Sequence, residues 1–238
     1  MSTIADLKIK IFADGADKQG IMEMYRNPLI KGFTTNPTIM RKAGVSDYEA
    51  FAHDVLREIK DRPISFEVFS DDFAEMERQA RKIAAWGENV YVKIPVTNTK
   101  SISSVNVIRN LSHSGIKLNV TAMMTVNQVR EVTQALAGDT RSCISIFAGR
   151  IADTGRDPIE IMTETLSILK NYPNIELIWA SPRELLNLFQ ADAIGCHIIT
   201  VTNDILKKLS LVGKNLDEFS LETVLMFYDD ARKAGYTL

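Results

Sequence analysis

Eight short apolar runs recur along this chain, and the segment between each pair is long enough for a helix. Each run has the length and composition of a buried strand, and the intervening segments show helical periodicity. Since strands that alternate with helices form parallel sheets, the pattern predicts a single (β/α)8 TIM barrel domain over residues 1–238. A doubly wound open sheet is the alternative, although no glycine-rich nucleotide motif follows any run. The runs are Lys8–Asp14, Ile30–Thr35, Ile64–Phe69, Val90–Ile94, Ile116–Thr121, Ser142–Ala148, Ile175–Ala180 and Cys196–Val201.

Capping residues and two further helices extend this pattern. Residues 46–49 have the form of a capping box beginning at Ser46, and Asp157-Pro158 puts proline in the first turn of another helix. Helices are predicted over Asn203–Ser210 and Ser220–Ala234. One face of the last helix is apolar and is expected to pack on the barrel or on a neighbouring subunit; it contains Leu221, Val224, Leu225 and Tyr228.

Composition narrows the class of protein. With 45% hydrophobic residues, 24% charged residues and a net charge of −2, the chain has the make-up of an ordinary globular protein without a nucleic-acid-binding stripe. No apolar run is long enough for a membrane span and no leader is visible, so a cytoplasmic protein without a membrane partner is expected. Cys143 and Cys196 are expected to be reduced core thiols, and the three histidines have no metal-site spacing.

The fourth run carries a lysine where a buried residue is expected. Side chains alternate in a strand, so Val90, Val92 and Ile94 share one face while Tyr91 and Lys93 share the other, towards the barrel interior. Burial disfavours the charged form of a lysine and leaves an amine that can form a Schiff base with a carbonyl. The alternatives are a lysine that extends to solvent at the strand end, or one paired with a carboxylate such as Glu67.

Polar side chains lie at or just beyond the carboxyl ends of seven of the eight runs, where the chemistry of a barrel of this kind is located. Each of these residues, taken alone, could equally be the cap of the following helix. Their convergence at one end of the barrel favours a catalytic site. They are Asp14, Thr35, Asn36, Glu67, Lys93, Asn119, Thr121, Ser145, Arg150, Ser181 and Arg183.

Two kinds of chemistry are represented among them. Asp14 and Glu67 are suitable acid/base groups for imine chemistry at a lysine, unless they only form a charge network that keeps the lysine protonated. Arg150 and Arg183, with Ser181 at a helix N-terminus, would make a phosphate site. The alternative is that both arginines are solvated rim residues.

The motifs around these residues resemble those of transaldolases, in particular the short microbial branch that also contains fructose 6-phosphate aldolases. The resemblance covers nearly the whole chain, with the motifs in order at family-like spacing. They are Gly32–Thr38, Val90–Pro95, Leu118–Ala122, Ile144–Arg150 and Ala180–Arg183.

The resemblance implies a class I transaldolase that moves a dihydroxyacetone unit between sugar phosphates of the pentose phosphate pathway. In it, Lys93 would form the Schiff base, Asp14 would act as acid/base at the sugar hydroxyl, and Glu67 with Thr121 would manage the catalytic water. The implied substrate-binding residues are Asn36, Asn119, Ser145, Phe147, Arg150, Ser181 and Arg183. No metal and no cofactor are implied, and relatives often form rings of five subunits or paired rings, as pentamers or decamers.

Several positions depart from the aldolase branch. That branch tends to have glutamine and tyrosine where this chain has Glu67 and Phe147, which favours transfer over free aldol cleavage. Ile146 and His197 replace residues that are usually proline and aspartate, and these changes are expected to alter the acceptor pocket. A fructose 6-phosphate aldolase, a transaldolase acting on a sulfonated sugar, and a catalytically silent sugar-phosphate-binding barrel are the alternative functions.

Overall fold

The computed structural model describes residues 3–136 and 138–238, in which eight parallel strands close into a barrel. Neighbouring strands pair in chain order, and the first strand pairs with the last, Lys10 lying opposite Ile198. The predicted barrel is therefore confirmed, and the open sheet is wrong. The strands are β1 Lys10–Asp14, β2 Ile30–Thr34, β3 Ile64–Glu67, β4 Val90–Pro95, β5 Leu118–Met123, β6 Ser142–Ile146, β7 Ile175–Trp179 and β8 Ile198–Thr202.

Helices lie between the strands and follow the last one. They are α1 Lys18–Arg26, α2 Pro37–Lys42, α3 Tyr48–Glu58, α4 Phe73–Ala84, α5 Val105–His113, α6 Val126–Ala135, α7 Ala148–Ala152, α8 Pro158–Leu169, α9 Leu186–Ala193, α10 Asn203–Lys207 and α11 Leu216–Ala234. Short 3-10 helices occupy Ile4–Asp6 and Lys208–Leu211.

The two predicted helix starts have different outcomes. Asp157 caps α8 as predicted, since its carboxylate accepts a hydrogen bond from the backbone N–H of Ile159 and proline follows. The capping box beginning at Ser46 is wrong by one residue. Asp47 is the cap of α3 and accepts from the N–H of Ala50, because aspartate is also a strong capping residue.

Strand alternation divides the core into two parts. In β4, Val90, Val92 and Ile94 are buried with the residues that pack between the strands and the helix layer. A second, smaller cluster fills the barrel interior and contains Phe12, Cys143, Ile178, Ala180 and Ile198. Gly32 accommodates this filling, since a Cβ there would lie 2.5 Å from Cζ of Phe12. The filling separates the two ends of the barrel. Both cysteines are free and buried, as predicted.

The last helix does not pack on the barrel. α11 has no buried residue, and Leu221, Val224, Leu225 and Tyr228 are each more than half exposed. The expectation that this face packs on the barrel is wrong, and packing on a neighbouring subunit stays a prediction. Of the helices in the described ranges, none combines the length and apolar character that crossing a membrane requires.

Candidate active site

A cavity of about 550 Å³ opens at the carboxyl ends of the strands, and every residue with an implied catalytic or substrate-binding role lines it. Thr35, the other polar residue noted at a strand end, does not line the cavity, because its side chain is buried and donates to the carbonyl of Ser65. The parallel arrangement brings together strand ends that are far apart in sequence. The structure thus places in one cavity Asp14, Asn36, Glu67, Lys93, Asn119, Thr121, Ser145, Phe147, Arg150, Ser181 and Arg183. Their chemical roles stay predictions.

Lys93 is enclosed at the base of this cavity. Its exposure is 6%, its Nζ lies 3.1 Å from Oε2 of Glu67, and it donates a hydrogen bond of 2.8 Å to the carbonyl of Thr35. The lysine does not extend to solvent, so that alternative is wrong. The ion pair with Glu67, which the other alternative expected, is present, and the acid/base role of this carboxylate stays a prediction.

Tyr48 at the start of α3 holds Glu67 in place, and sequence reasoning missed it. Its hydroxyl accepts from the backbone N–H of Glu67 at 2.7 Å and donates to the carbonyl of the same residue at 3.1 Å. Burial raises the pKa of Tyr48, so the phenol stays protonated and able to donate. The aromatic ring packs edge-on against Phe66 and Phe69. Tyr48 was missed because the periodicity of a helix does not show that one of its hydroxyl groups contacts the end of a strand.

Asp14 ends β1 and belongs to a short chain of hydroxyl groups. Thr34 donates to its Oδ1 at 2.7 Å, and the hydroxyls of Thr34 and Thr200 are 2.5 Å apart. Because the single hydrogen of Thr34 goes to the carboxylate, Thr200 is the donor to Thr34. Burial raises the pKa of Asp14, while the nearby Lys93 and the Thr34 hydrogen bond oppose this. A carboxylate with a raised pKa is a better proton acceptor.

Polar groups on β3, β5 and β6 form a second chain. Asn119 donates to Oγ of Ser65 at 3.0 Å and accepts from Ser145 at 2.8 Å. These bonds fix which way the amide points. Thr121 differs, because its Oγ1 is buried and has no hydrogen-bond partner in the described residues. A buried hydroxyl without a partner is costly, which points to a water or a substrate group as its partner.

The rim of the cavity carries the two predicted anion-binding arginines. Asp153, just after α7, accepts from Nε of Arg183 at 2.9 Å and also from its Nη2, while Nη1 donates to Oγ of Ser181 at 3.1 Å. The hydrogen bonds from Arg183 lower the pKa of Asp153. Both arginines are exposed. Arg183 was predicted as a site residue from the sequence, and Asp153, which binds its guanidinium group, was not.

Ser181 is not at a helix N-terminus, so that expectation is wrong. The next helix, α9, begins only at Leu186, and Ser181 has a left-handed backbone with φ of 60°. Ala122 lines the same cavity with φ of 63°. Such conformations cost energy in non-glycine residues and concentrate at functional sites. Gly149 permits the turn, because a Cβ there would lie 1.6 Å from the carbonyl oxygen of Ser181.

Two predicted changes to the acceptor pocket are wrong. Ile146 is fully buried and packs in the outer core, because it faces the helices. His197 precedes β8 at the opposite end of the barrel, where its Nδ1 accepts from the N–H of Leu177. Neither residue lines the cavity. In the ranges 3–136 and 138–238, no group of three or more His, Cys, Asp or Glu side chains is arranged to hold a metal ion.

Comparison with known proteins shows the family of this chain. The family model described as transaldolase/fructose-6-phosphate aldolase matches residues 11–237. A protein named probable transaldolase from Thermoanaerobacter sp. (strain X514) is 37% identical over 228 residues, which cover 95% of this chain and 99% of that protein. The chain belongs to the transaldolase/fructose-6-phosphate aldolase family. Another probable transaldolase, from Dehalococcoides mccartyi, is 35% identical over 202 residues, covering 84% of this chain and 90% of that protein.

Membership in the transaldolase family makes this chain an enzyme of that family. Among solved structures, a double mutant of flavocytochrome b2 with sulfite bound superposes with a TM-score of 0.57 at 11% identity. The match covers 82% of this chain and 57% of that chain. At this identity the likeness shows the barrel fold alone.

Proposed function

We propose that the protein is a class I transaldolase that uses Lys93 to transfer a dihydroxyacetone unit from a ketose phosphate to an aldose phosphate. The donors would be fructose 6-phosphate or sedoheptulose 7-phosphate, and the acceptors erythrose 4-phosphate or glyceraldehyde 3-phosphate, as in the pentose phosphate pathway. The observation that carries the proposal is an enclosed lysine amine 3.1 Å from Glu67, in one cavity with Asp14 and Thr121.

The first step forms the Schiff base. Glu67 takes a proton from Lys93, and the neutral amine attacks the ketone carbon of the donor to give a carbinolamine. Loss of water from this intermediate needs a proton donor at the departing hydroxyl, which protonated Glu67 supplies. The Oγ1 of Thr121, which has no hydrogen-bond partner among residues 3–136 and 138–238, is a suitable group to bind that water.

The second step breaks the bond between C3 and C4. The carboxylate of Asp14 takes the proton of the C4 hydroxyl, the aldose phosphate leaves, and the electron pair of the broken bond moves into the iminium to give an enamine. The donor chain from Thr200 through Thr34 keeps Asp14 oriented towards the cavity. The enamine then adds to the acceptor aldehyde, Asp14 returns the proton, and hydrolysis at Lys93 releases the new ketose.

The remaining cavity residues would bind the substrate. Asn119 and Ser145, already linked by a hydrogen bond of 2.8 Å, offer fixed polar groups for the hydroxyls of the three-carbon unit, together with Asn36. Phe147 supplies an apolar wall. Arg150, Arg183 and Ser181 would bind the terminal phosphate at the rim.

An assay with and without an acceptor separates transfer from aldol cleavage. Fructose 6-phosphate and the enzyme are followed for glyceraldehyde 3-phosphate release, alone and with added erythrose 4-phosphate. The transferase proposal expects turnover that depends on the acceptor. Release at full rate without any acceptor would instead identify a fructose 6-phosphate aldolase, and a sulfonated donor tested in parallel covers the remaining substrate alternative.

The exposed apolar face of α11 supports a homo-oligomer, because apolar patches of this kind mark interaction surfaces. Sedimentation of the purified protein tests this, and a monomer at micromolar concentration would contradict it. We also place the reaction in the cytoplasm, where its sugar-phosphate substrates are produced. Fractionation of cells that express the protein checks that assignment.

A further inference from the structure

The opposite end of the barrel carries a cavity that the proposed reaction does not use. It lies at the amino ends of the strands, has a volume of about 610 Å³, and shares no lining residue with the active-site cavity. The barrel filling around Phe12 lies between the two. Six cationic side chains line this cavity, which we call the basic mouth: Lys10, Lys31, Lys60, Arg62, Lys117 and Arg141.

Positive charge in the basic mouth is not balanced by its carboxylates. Asp61, Glu88 and Glu176 also line it, so cations outnumber carboxylates by two to one. The whole chain has the opposite balance, with 28 lysines and arginines against 30 aspartates and glutamates. A cavity with one dominant sign of charge and low-dielectric walls concentrates its field on a counter-ion.

Two of the three carboxylates of the basic mouth already have partners. Glu176 is paired with Lys10 at 2.6 Å, and Asp61 accepts from the hydroxyl of Tyr25 at 2.8 Å while lying 3.9 Å from Arg62.

The other four cations have no carboxylate within ion-pair distance anywhere in the described chain. Lys31 and Lys117 donate to backbone carbonyls, of Pro28 and Glu88, and Lys60 and Arg141 have no hydrogen-bonding partner among the described residues.

The basic mouth has an aromatic wall and adjoins a second cavity that contains a buried hydroxyl group. Tyr91 and Phe12 form an aromatic part of the lining, and the ammonium of Lys117 lies 5.8 Å from the centre of the Tyr91 ring. An adjoining cavity of about 360 Å³ shares Lys10, Tyr91, Arg141 and Glu176 with the mouth. It also reaches Ser142, whose buried Oγ lacks a hydrogen-bond partner in the described residues.

We propose that the basic mouth binds a compact molecule with two or more adjacent phosphate groups. A single monoanion would leave most of the unpaired cations unbalanced, whereas a diphosphate or triphosphate offers several charge-assisted acceptors to Lys60, Lys117 and Arg141. The volume suits a ligand of this size. Inorganic polyphosphate and a nucleotide share this chemistry, and only the nucleotide would also use the ring of Tyr91. The inference does not rest on the proposed reaction.

Calorimetric titration of the full chain tests the proposal with pyrophosphate and, separately, with ADP. The expected result is one saturable site per chain with a micromolar dissociation constant at low salt, weakening as salt is added. The double variant Arg150→Ala/Arg183→Ala, which removes the predicted anion groups of the active site, should keep this binding. Equal affinity for both probes assigns the site to bare polyphosphate, and tighter binding of ADP assigns it to a nucleotide.

Neutral substitutions on the exposed rim keep the fold while removing charge. Lys60→Gln/Arg141→Gln should weaken binding at least about tenfold, and the matched pair Lys208→Gln/Lys233→Gln, with the same change in net charge, should leave it unchanged. Three results would overturn the proposal. These are no saturable binding to the wild type, loss of binding only in the Arg150/Arg183 variant, or equal weakening by both pairs of substitutions.

Discussion

Substitution of Gly149 is a sensitive test of how Ser181 and Arg183 are positioned at the rim of the cavity. A Cβ at this position would lie 1.6 Å from the carbonyl oxygen of Ser181, whereas real Cβ atoms essentially never come closer than 3.0 Å to another atom. In Gly149→Ala the separation between this Cβ and the Ser181 carbonyl oxygen must therefore grow by at least 1.4 Å, the difference between those two distances, which displaces the Ser181 turn relative to α7. Arg183 is two residues further along and moves with it.

The size of the effect follows from that displacement. A shift of about 1 Å in a positioned group can cost about a hundredfold in rate. We expect kcat/KM with a phosphorylated donor to fall by at least about a hundredfold, or about 2.7 kcal/mol of transition-state stabilisation. The loss should be smaller with the same sugar lacking its phosphate, since the displaced residues are those predicted to bind the anion.

Steady-state kinetics on phosphorylated and unphosphorylated donors measure this, with urea denaturation to show that the variant is folded. Gly138→Ala is the matched control, because no described atom lies within 4 Å of the point that its Cβ would occupy and no left-handed backbone is required. A folded Gly149→Ala enzyme with kcat/KM within fivefold of the wild type would refute the reasoning.

Three further predictions concern the groups around the cavity. Tyr48→Phe leaves the N–H of Glu67 without its partner and should lower the free energy of unfolding by about 1–3 kcal/mol. An unchanged urea midpoint would contradict the role of the Tyr48 hydroxyl in holding Glu67. Asp153→Asn removes a charge that competes with the substrate anion for Arg183, so KM for a phosphorylated donor should fall by less than about fivefold, and a rise would contradict this. Burial raises the pKa of Asp14, so ionising this carboxyl group destabilises the folded protein. This destabilisation is absent below the ordinary pKa of 3.8, grows as the pH rises above it, and is complete once the pH has passed the folded-state pKa. Asp14→Asn should therefore gain stability over the wild type at neutral pH and not at low pH, as denaturation across pH would show.

The strand pattern predicted the barrel and the orientation of Lys93 because side chains alternate with a period of two. The placement of Asp14, Glu67 and Asn119 at the cavity came from a different rule, that the site of a parallel barrel lies at the carboxyl ends of its strands. Residues that support the site came from elsewhere and were missed. Tyr48 acts from a helix through one hydroxyl, and a hydrogen bond between a side chain and a distant backbone has no periodic signal.

Errors arose where tertiary contacts, not local pattern, decide the structure. Ser181 was expected at a helix start, but its left-handed turn depends on the close approach of Gly149. The amphipathic spacing of α11 predicted an apolar face correctly, but of the two expected partners the barrel is wrong and a neighbouring subunit stays a prediction, because periodicity identifies a face without identifying what covers it.

Trapping with borohydride tests the role of Lys93 most directly. The protein is incubated with fructose 6-phosphate and borohydride, digested, and mapped by mass spectrometry. We expect a reduced sugar adduct on the peptide that contains Lys93, and neither adduct nor activity in a folded Lys93→Met variant. An adduct on a different lysine, or full activity in Lys93→Met, would contradict the account.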